Sequence, residues 1–306
     1  MAILIKSPRA ERWIDAVRHH RPDEELRIWP QVGDAADIEF AVVWQPEPGD
    51  LARYPNLRAV FSMGAGVDHI LADPHLPAGL PIVRLVDSTM TRGMVEYVLH
   101  WVLHHHRDFG RYAAAQPGDW TAHPQIPAPQ RRVGVMGLGE LGGAAARTLA
   151  RLGFDTAGWS RTERQIEGIT CFHGEPGRAH FLARTEILVC LLPLTPATEN
   201  ILDSALFAAL PPGAALIHCG RGPHLVEADL LAALDTGHLA AATLDVFPTE
   251  PLPPAHPFWT HPRVTVTPHM ASLGVARSAA AGFSEAIDLL RAGKLPGNLV
   301  DRAAGY

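Results

Sequence analysis

Short apolar runs recur along the chain and are separated by amphipathic or polar segments, a pattern typical of parallel α/β proteins. Within the first 95 residues, strand-length apolar runs occur at 2–5, 40–44, 59–62 and 82–85. Later runs occur at 133–136, 154–159, 187–192, 214–218, 241–246 and 264–267. Because strands of a parallel sheet are covered on both faces, these continuous runs predict an α/β fold with doubly wound parallel sheets.

Helical periodicity or high helix propensity predicts helices at residues 10–20, 144–151 and 274–292. A fourth predicted helix, residues 94–107, is strongly apolar and carries a single acid, Glu96. Such a helix is not expected to lie exposed on a monomer, so we expect it to cross between domains or to pack on a second subunit. Residues 116–130 contain four prolines and predict an extended arm. Together the helix and the arm predict a homodimer.

A glycine-rich turn follows the apolar run at residues 133–136. Gly137, Gly139 and Gly142 have the spacing G-x-G-x-x-G, with Glu140 and Leu141 between the last two glycines, and an Ala-rich helical segment comes next. In a dinucleotide site these glycines make a tight turn, let backbone approach the pyrophosphate, and pack helix on strand. The motif therefore predicts a dinucleotide site, and the alternative is a tight glycine turn in an ordinary α/β domain.

The end of the second strand after this turn indicates which nucleotide binds. NAD sites usually place an acid there for the ribose 2′-hydroxyl, whereas this chain has Trp159 followed by Ser160, Arg161 and Thr162. An Arg fork and two hydroxyls suit a 2′-phosphate, so we expect NADP, with NAD possible. The alternative is that Arg161 is a solvated loop residue.

Three polar residues follow successive predicted strands: Arg221, Glu250 and His269. Reduction of a keto carbon leaves an alkoxide, which needs a proton donor of pKa near 7, and His is such a group. A carboxylate at the other ring nitrogen would stabilise the imidazolium, and a planar Arg binds a substrate carboxylate with two hydrogen bonds. Taken singly, these residues could be a surface ion pair, a solvated acid and a core His; together they favour a site for keto-acid reduction.

A second glycine pair, Gly64 and Gly66 around Ala65, follows the apolar run at 59–62. Backbone N–H groups in such a loop can face an anion with no side chain in the way. A structural turn explains the pattern equally well.

Bulk properties narrow the class of protein. The 306 residues suggest two domains, and the net charge of −6 with pI near 6.3 argues against a nucleic-acid partner. Three scattered cysteines indicate a reducing, cytoplasmic location, with no signal peptide at the apolar N-terminus and no apolar run long enough for a membrane. There are 17 histidines, but none has an obvious metal-ligand spacing, and the consecutive residues 104–106 point in different directions on a helix, so no metal is expected.

With these residues in place, the sequence resembles the D-2-hydroxyacid dehydrogenases, and within them the glyoxylate/hydroxypyruvate reductase A group. The similarity covers essentially the whole chain. Its motifs are residues 64–68, the fingerprint at 137–142, 159–161, 191–195, 221–222, 244–252 and 267–269.

The resemblance implies a role for each site residue. Arg221 polarises the keto oxygen and holds the carboxylate, His269 donates the proton, and Glu250 orients His269. The substrate pocket is implied to contain Trp44 as a wall and the loop residues Gly64, Ala65 and Gly66, of which Ala65 and Gly66 give their N–H groups to the carboxylate. Asp245 is implied to meet the nicotinamide carboxamide, and Pro193 to lie beneath the adenine. The cofactor residues are thus Gly137, Gly139, Glu140, Leu141, Gly142, Ser160, Arg161, Thr162, Leu192, Pro193, Cys219, Gly220, Arg221 and Asp245.

The implied fold is two Rossmann-like domains, with residues 1–95 and 275–306 forming the substrate domain and 96–274 the dinucleotide domain. The cleft is implied to close on substrate through hinges near 90–96 and 270–274. The implied activity is NADPH-dependent reduction of a small 2-keto acid. One alternative is an NADP-sensing regulator without catalysis. A second, oxidation of formate or phosphite, is disfavoured because formate enzymes of this family have Gln where Glu250 stands.

Overall fold

The computed structural model describes all residues from Met1 to Tyr306 and divides into two compact units. The first unit is discontinuous and consists of Met1–Met90 and Leu273–Tyr306, and the second is Thr91–Ser272. The assignment of substrate and dinucleotide domains to such units stays a prediction.

The first unit contains a five-stranded sheet in the order β2-β1-β3-β4-β5. All of its named strands pair in parallel. Its strands are β1 (Ala2–Lys6), β2 (Glu25–Ile28), β3 (Ile38–Val43), β4 (Ala59–Ser62) and β5 (Ile82–Val83). Its helices are α1 (Ala10–His20) and α2 (Asp68–Leu71), together with α9 (Ala276–Arg291) from the far end of the chain.

Helix α9 completes the core of the first unit. Phe283 on α9 stacks on Trp13 of α1 with ring centroids 5.7 Å apart and meets Phe61 of β4 edge-on at 5.3 Å. Beyond α9, Leu299 forms an antiparallel bridge with Val83 at the edge of the sheet. Both ends of the chain therefore contribute to one core.

Helix α3 (Ser88–His106) runs from the first unit into the second. It begins six residues before the predicted start, because the Asp87 carboxylate accepts the N–H of Thr89 at 3.1 Å and so supplies a cap. Its apolar residues Met94, Val98 and Val102 are buried in the core of the second unit. The composition that suggested a subunit contact is thus explained largely by packing within the unit.

The second unit contains a seven-stranded parallel sheet in the order β12-β11-β10-β9-β6-β7-β8. Its strands are β6 (Arg132–Met136), β7 (Asp155–Ser160), β8 (Thr170–His173), β9 (Ile187–Cys190), β10 (Ala214–His218), β11 (Leu239–Leu244) and β12 (Val264–Val266). Its further helices are α4 (Phe109–Ala113), α5 (Glu140–Arg151), α6 (Gly174–Ala183), α7 (Ser204–Ala209) and α8 (Glu227–Asp235).

Strand order reverses where β6 lies between β9 and β7, so the loops after β6 and β9 open away from each other. In an open parallel sheet, ligands bind at such a switch point, beyond the carboxyl ends of the strands. None of the helices combines the length and the apolar composition required to cross a bilayer.

Candidate active site

The three fingerprint glycines of the second unit have three different environments. Gly137 has φ +99°, and a Cβ there would lie 2.6 Å from the carbonyl oxygen of Leu191. A Cβ on Gly142 would lie 1.8 Å from the carbonyl oxygen of Gly137, whereas one on Gly139 would meet nothing within 4 Å. The first glycine thus makes the turn, the third permits helix-on-strand packing, and the second leaves backbone open to a ligand.

Helix α5 begins at Glu140, directly after the open Gly139. The first N–H groups of a helix have no acceptor within it and attract anions. These residues therefore fit the pyrophosphate of a dinucleotide. A nicotinamide dinucleotide bound there in its reduced form would supply a hydride.

The tip of β7 carries the residues predicted to bind a 2′-phosphate. The Ser160 hydroxyl donates to the carbonyl of Thr162 at 2.8 Å, which closes a tight turn. Arg161 lies exposed within that turn. The indole of Trp159 is buried and donates to the carbonyl of Gly174 at 2.9 Å, so the tip rests on a fixed base.

Glu250 and His269 are brought together after β11 and β12. Their Nδ1 and Oε2 atoms are 2.7 Å apart, and the second carboxylate oxygen of Glu250 accepts the N–H of Phe247 at 2.9 Å. Burial alone would raise the pKa of Glu250, but the hydrogen bonds from His269 and Phe247 and the charges of His269 and Arg221 bring the pKa below its usual value. The ionised carboxylate fixes the proton of the ring on Nδ1, which leaves Nε2 to meet a substrate.

His269 also has an unusual backbone. Its φ is +49°, in the left-handed region that non-glycine residues rarely adopt. The Asp245 carbonyl accepts the His269 N–H at 2.8 Å, and the Asp245 carboxylate accepts the N–H groups of Met270 and Ala271 at 2.9 and 2.8 Å. These contacts on both sides of the ring's backbone hold the strained conformation in place.

Asp245 is almost fully buried, and its carboxylate is engaged by the protein. Besides the two N–H groups, it accepts the Thr267 hydroxyl at 2.6 Å, and that hydroxyl in turn accepts from the Tyr97 phenol at 2.7 Å. Burial raises the pKa of Asp245 despite these donors. The described contacts give Asp245 a structural role in the loop of His269, and its contact with the nicotinamide stays a prediction.

Arg221 follows β10 in extended backbone, with φ −141° and ψ 142°. Its Nη1 donates to the carbonyl of Gly220 at 2.9 Å. A Cβ on the next residue, Gly222, would lie 1.9 Å from the backbone of Phe247, so the Arg221 and Glu250 loops are in direct contact. The second unit therefore places all three predicted catalytic residues at neighbouring strand ends.

The other predicted cofactor residues of the second unit lie at the ends of β9 and β10. Leu192 and Cys219 are buried, and Pro193 is partly buried, with its carbonyl accepting the Thr198 hydroxyl at 2.7 Å. Gly220 lies between Cys219 and Arg221, where a Cβ would be 2.9 Å from the ring of His224.

The predicted substrate residues Trp44, Gly64, Ala65 and Gly66 all belong to the first unit. A Cβ on Gly64 would lie 2.7 Å from the Trp44 ring, which explains a glycine at that position. The Ser62 hydroxyl accepts the Gly64 N–H at 3.2 Å, while the N–H groups of Ala65 and Gly66 have no acceptor within the chain. Two adjacent backbone donors suit an anion.

Two buried residues of the second unit, His218 and His224, were not predicted from the sequence. They stand three positions before and three positions after Arg221. His218 contacts the backbone carbonyl of Arg221, and His224 contacts its backbone N–H. The symmetric spacing was the one available signal. Tyr97 and Thr267 were missed because each looks like an ordinary core or strand residue.

The parallel sheet, the glycine turn and the Arg, Glu and His at its strand ends are the arrangement expected of a nucleotide-dependent oxidoreductase. The model of the family "D-isomer specific 2-hydroxyacid dehydrogenase, NAD binding domain" matches residues 99–271. A glyoxylate/hydroxypyruvate reductase A from Serratia proteamaculans (strain 568) is 45% identical over 303 residues, which cover 97% of this chain and 96% of that protein. The chain belongs to the D-isomer specific 2-hydroxyacid dehydrogenase family.

Two solved structures are similar over the full chain. A D-isomer specific 2-hydroxyacid dehydrogenase from Xanthobacter autotrophicus Py2, in complex with NADPH and MES, is 43% identical with a TM-score of 0.96, covering 100% of this chain and 99% of that one. An NADPH-dependent glyoxylate/hydroxypyruvate reductase from Sinorhizobium meliloti, in complex with NADP and sulfate, is 41% identical with a TM-score of 0.93, covering 100% of both chains.

Proposed function

We propose that this protein is an NADPH-dependent reductase of small 2-keto acids of the glyoxylate or hydroxypyruvate type, yielding the D-2-hydroxy acid. The observation that carries the proposal is the 2.7 Å contact between Glu250 and His269 beside Arg221, at the strand ends of a dinucleotide fold. The names of the Serratia and Sinorhizobium relatives support the same reaction.

His269, Glu250 and Arg221 have different roles in the proposed reduction. When bound, NADPH would supply a hydride to the keto carbon, and the keto oxygen would then need a proton. Because Nδ1 of His269 is hydrogen-bonded to Glu250, Nε2 of His269 delivers that proton. Arg221 holds the substrate carboxylate and the keto oxygen through parallel N–H groups.

The cofactor is proposed to be bound by the glycine turn and by the tip of β7. The open backbone at Gly139 and the N-terminus of α5 support pyrophosphate binding, and Arg161 with Ser160 and Thr162 supports a 2′-phosphate. Relatives in complex with NADPH and NADP agree with this choice. The N–H groups of Ala65 and Gly66 are proposed to bind the substrate carboxylate, with Trp44 as the wall of the pocket.

We further propose a homodimer, on a surface that overlaps the predicted arm and the end of the predicted helix 94–107. The exposed apolar side chains Leu103, Phe109, Tyr112, Trp120 and Ile126 form what we term the arm segment, residues 103–126. Trp120 is 98% exposed, and burial of such a side chain on a second copy is strongly favourable. A cytoplasmic location is proposed from the three free cysteines.

The proposed function is tested by steady-state kinetics with NADPH and NADH against glyoxylate, hydroxypyruvate, pyruvate and phenylpyruvate. We expect turnover with NADPH and glyoxylate or hydroxypyruvate, and loss of about 10²-fold or more in His269→Ala. Because His269 does not touch the dinucleotide fingerprint, NADPH binding in that variant should be nearly intact. Tight NADPH binding without turnover on any of the four acids would favour the regulator alternative.

A further inference from the structure

Three chemistry-bearing side chains are buried at the ends of β9 and β10. Cys190, His218 and His224 are each inaccessible to solvent, and one nitrogen or sulfur atom of each lies within 4.8 Å of the others. A cluster of this composition is either a metal site or a hydrogen-bonding unit, and the partners of the two rings distinguish these.

The partners of His224 fix its tautomer. Its Nδ1 is 3.1 Å from the N–H of Arg221, which can only donate, so Nδ1 carries no hydrogen. Its Nε2 is 3.2 Å from the carbonyl of Pro193, which can only accept, so Nε2 carries the proton. Both nitrogens are therefore used, and the one lone pair of the ring is directed at Arg221.

His218 has the same tautomer for the same kind of reason. Its Nε2 is 2.9 Å from the carbonyl of Arg221 and must donate to it. Burial lowers the pKa of this imidazole to about 3, so the ring is neutral, and Nδ1 has no partner. Burial likewise raises the pKa of the Cys190 thiol to about 12.

The two rings therefore hold the two backbone polar groups of one residue, the N–H and the carbonyl of Arg221. The carbonyl also accepts the His224 N–H at 3.0 Å. Through the Pro193 carbonyl, His224 connects the Arg221 loop to the loop after β9. On the other side, Gly222 contacts the backbone of Phe247, which donates to Glu250.

We propose that His218 and His224 are positioning residues that clamp the backbone of Arg221 from both sides, so that its guanidinium meets the keto acid in one orientation. This inference rests on the proposed function. Neither ring contacts the reacting atoms, and both act through Arg221. A guanidinium on a loosened backbone would bind the keto acid in several orientations, so kcat/KM for the keto acid would fall while NADPH affinity would not.

The main test is a double-mutant cycle between His218 and Arg221. His218→Leu removes the donor, and we expect kcat/KM for glyoxylate to fall roughly 3- to 10-fold, the equivalent of one hydrogen bond. In an Arg221→Ala background the same substitution should have almost no further effect. A purely structural role would instead give the same fold loss in both backgrounds and would overturn the proposal.

Conservative variants and a matched control separate the clamp from general damage. The Nε2 of Gln reaches the position of the His Nε2, so His218→Gln should restore most of the activity. In the same way, the Oδ1 of Asn can replace Nδ1 in His224→Asn. His238→Leu is the control, because that ring also contacts a carbonyl, that of Phe207 at 2.8 Å, yet lies far along the chain from Arg221. It should leave kcat/KM unchanged.

A readout independent of turnover covers the case in which a variant fails to fold. In wild-type protein with ¹⁵N-labelled histidine, the ring nitrogen shifts of His218 and His224 should be those of neutral Nε2–H tautomers across pH 6–8. An Nδ1–H tautomer, an imidazolium, or stoichiometric zinc found by elemental analysis and lost in His218→Leu would overturn the clamp. Absence of keto-acid turnover in the wild type would instead remove the proposed function, and the tautomers would still report on the hydrogen bonds.

Discussion

At the scale of single residues, His269 combines a strained backbone with a charged partner. The left-handed conformation at φ +49° is held by the groups of Asp245, and the ring is oriented by Glu250 at 2.7 Å. Such outliers cost of order 1–3 kcal/mol and persist where the surrounding structure determines them. Asp245 thus fixes the position of the His269 backbone, and Glu250 fixes the orientation of its ring.

Glu250→Gln tests the control of orientation and charge. A carboxylate beside an imidazole favours the protonated ring, which is the form that reduction requires. With the charge removed, the protonated ring loses its stabilising partner, so the alkaline limb of the kcat profile should move to lower pH. We also expect kcat to fall by roughly one to two decades. The profile is measured with glyoxylate and saturating NADPH.

The control for this experiment is Glu227→Gln. Glu227 contacts His256 at 3.3 Å, so it is a second Glu–His pair in the same unit. The Glu227 variant should keep the wild-type profile. If the alkaline limb is unmoved in Glu250→Gln as well, the pairing has no part in proton donation.

Arg161→Asp tests the choice of cofactor. A charge-assisted contact to phosphate contributes on the order of 2–3 kcal/mol, so KM for NADPH should rise by about one to two decades. The KM for NADH should change little, because the new carboxylate can meet a ribose hydroxyl. Equal weakening of both cofactors would instead make Arg161 a structural residue.

The residues of the candidate site were predictable to the extent that their position follows from sheet topology. Arg221, Glu250 and His269 each follow a strand of one parallel sheet, so the sequence places them at one edge. The hydrogen bonds that position them depend on side chains such as His218 and Tyr97, whose partners are distant in the chain or are backbone atoms. Nothing in a sequence specifies such partners.

At the scale of elements, the central strands were predictable, and two of the four edge strands were not. Each predicted apolar run overlaps an observed strand, because strands covered on both faces are continuously apolar. Strands β2 and β8 were not predicted, because they are edge strands that are short and only partly buried. The start of α5 was predicted four residues late, because a turn of Glu, Leu and two glycines has low helix propensity and is fixed by packing.

The junction of β3 with α9 depends on an ion cluster. Glu39 in β3 is buried, and its carboxylate accepts from Arg58 and from Arg291 of α9, each at 2.7 Å. Burial would raise the pKa of Glu39, but the two guanidinium groups bring the pKa below its usual value of 4.5. A lowered folded-state pKa stabilises the fold above the unfolded value, and that contribution is lost as pH falls through the folded pKa.

Glu39→Gln should therefore lower stability at neutral pH by about 2 kcal/mol, or Tm by about 4–8 °C. The difference in Tm from the wild type should persist between pH 7 and 5 and shrink as pH falls below the usual pKa of 4.5 and through the lowered folded-state pKa of Glu39. Calorimetry at several pH values measures it. The control is Glu25→Gln, which removes an exposed partner of Arg27 and should change Tm little. A pH-independent difference would show that the charge of Glu39 is not the cause.

At the scale of the whole molecule, the arm segment is the largest run of exposed apolar side chains. The fully exposed Trp120 and the half-exposed Phe109 both belong to the arm segment, which includes few buried residues. Packing within the second unit accounts for the apolar face of α3, so the arm segment is what a second copy would cover.

Trp120→Glu should convert the proposed dimer to a monomer at micromolar concentration, because a charge in an apolar interface is costly. Multi-angle light scattering and sedimentation velocity measure the mass. Leu295→Glu is the matched control, since Leu295 is also exposed, at 74%, but lies outside the arm segment, and this variant should remain a dimer. A wild-type monomer would refute the dimer itself, and a dimeric Trp120 variant would place the interface elsewhere.

The core of the first unit is completed by α9 and Leu299, and this affects how the chain folds as it leaves the ribosome. Residues 91–272 form a continuous unit and can complete their fold while α9 is still being made. Until α9 emerges, the apolar surfaces of Trp13 and Phe61 and the edge of β5 have no cover. Residues 1–90 are therefore made before the second unit but complete their core after it, and until then their uncovered apolar surface can bind chaperones or aggregate.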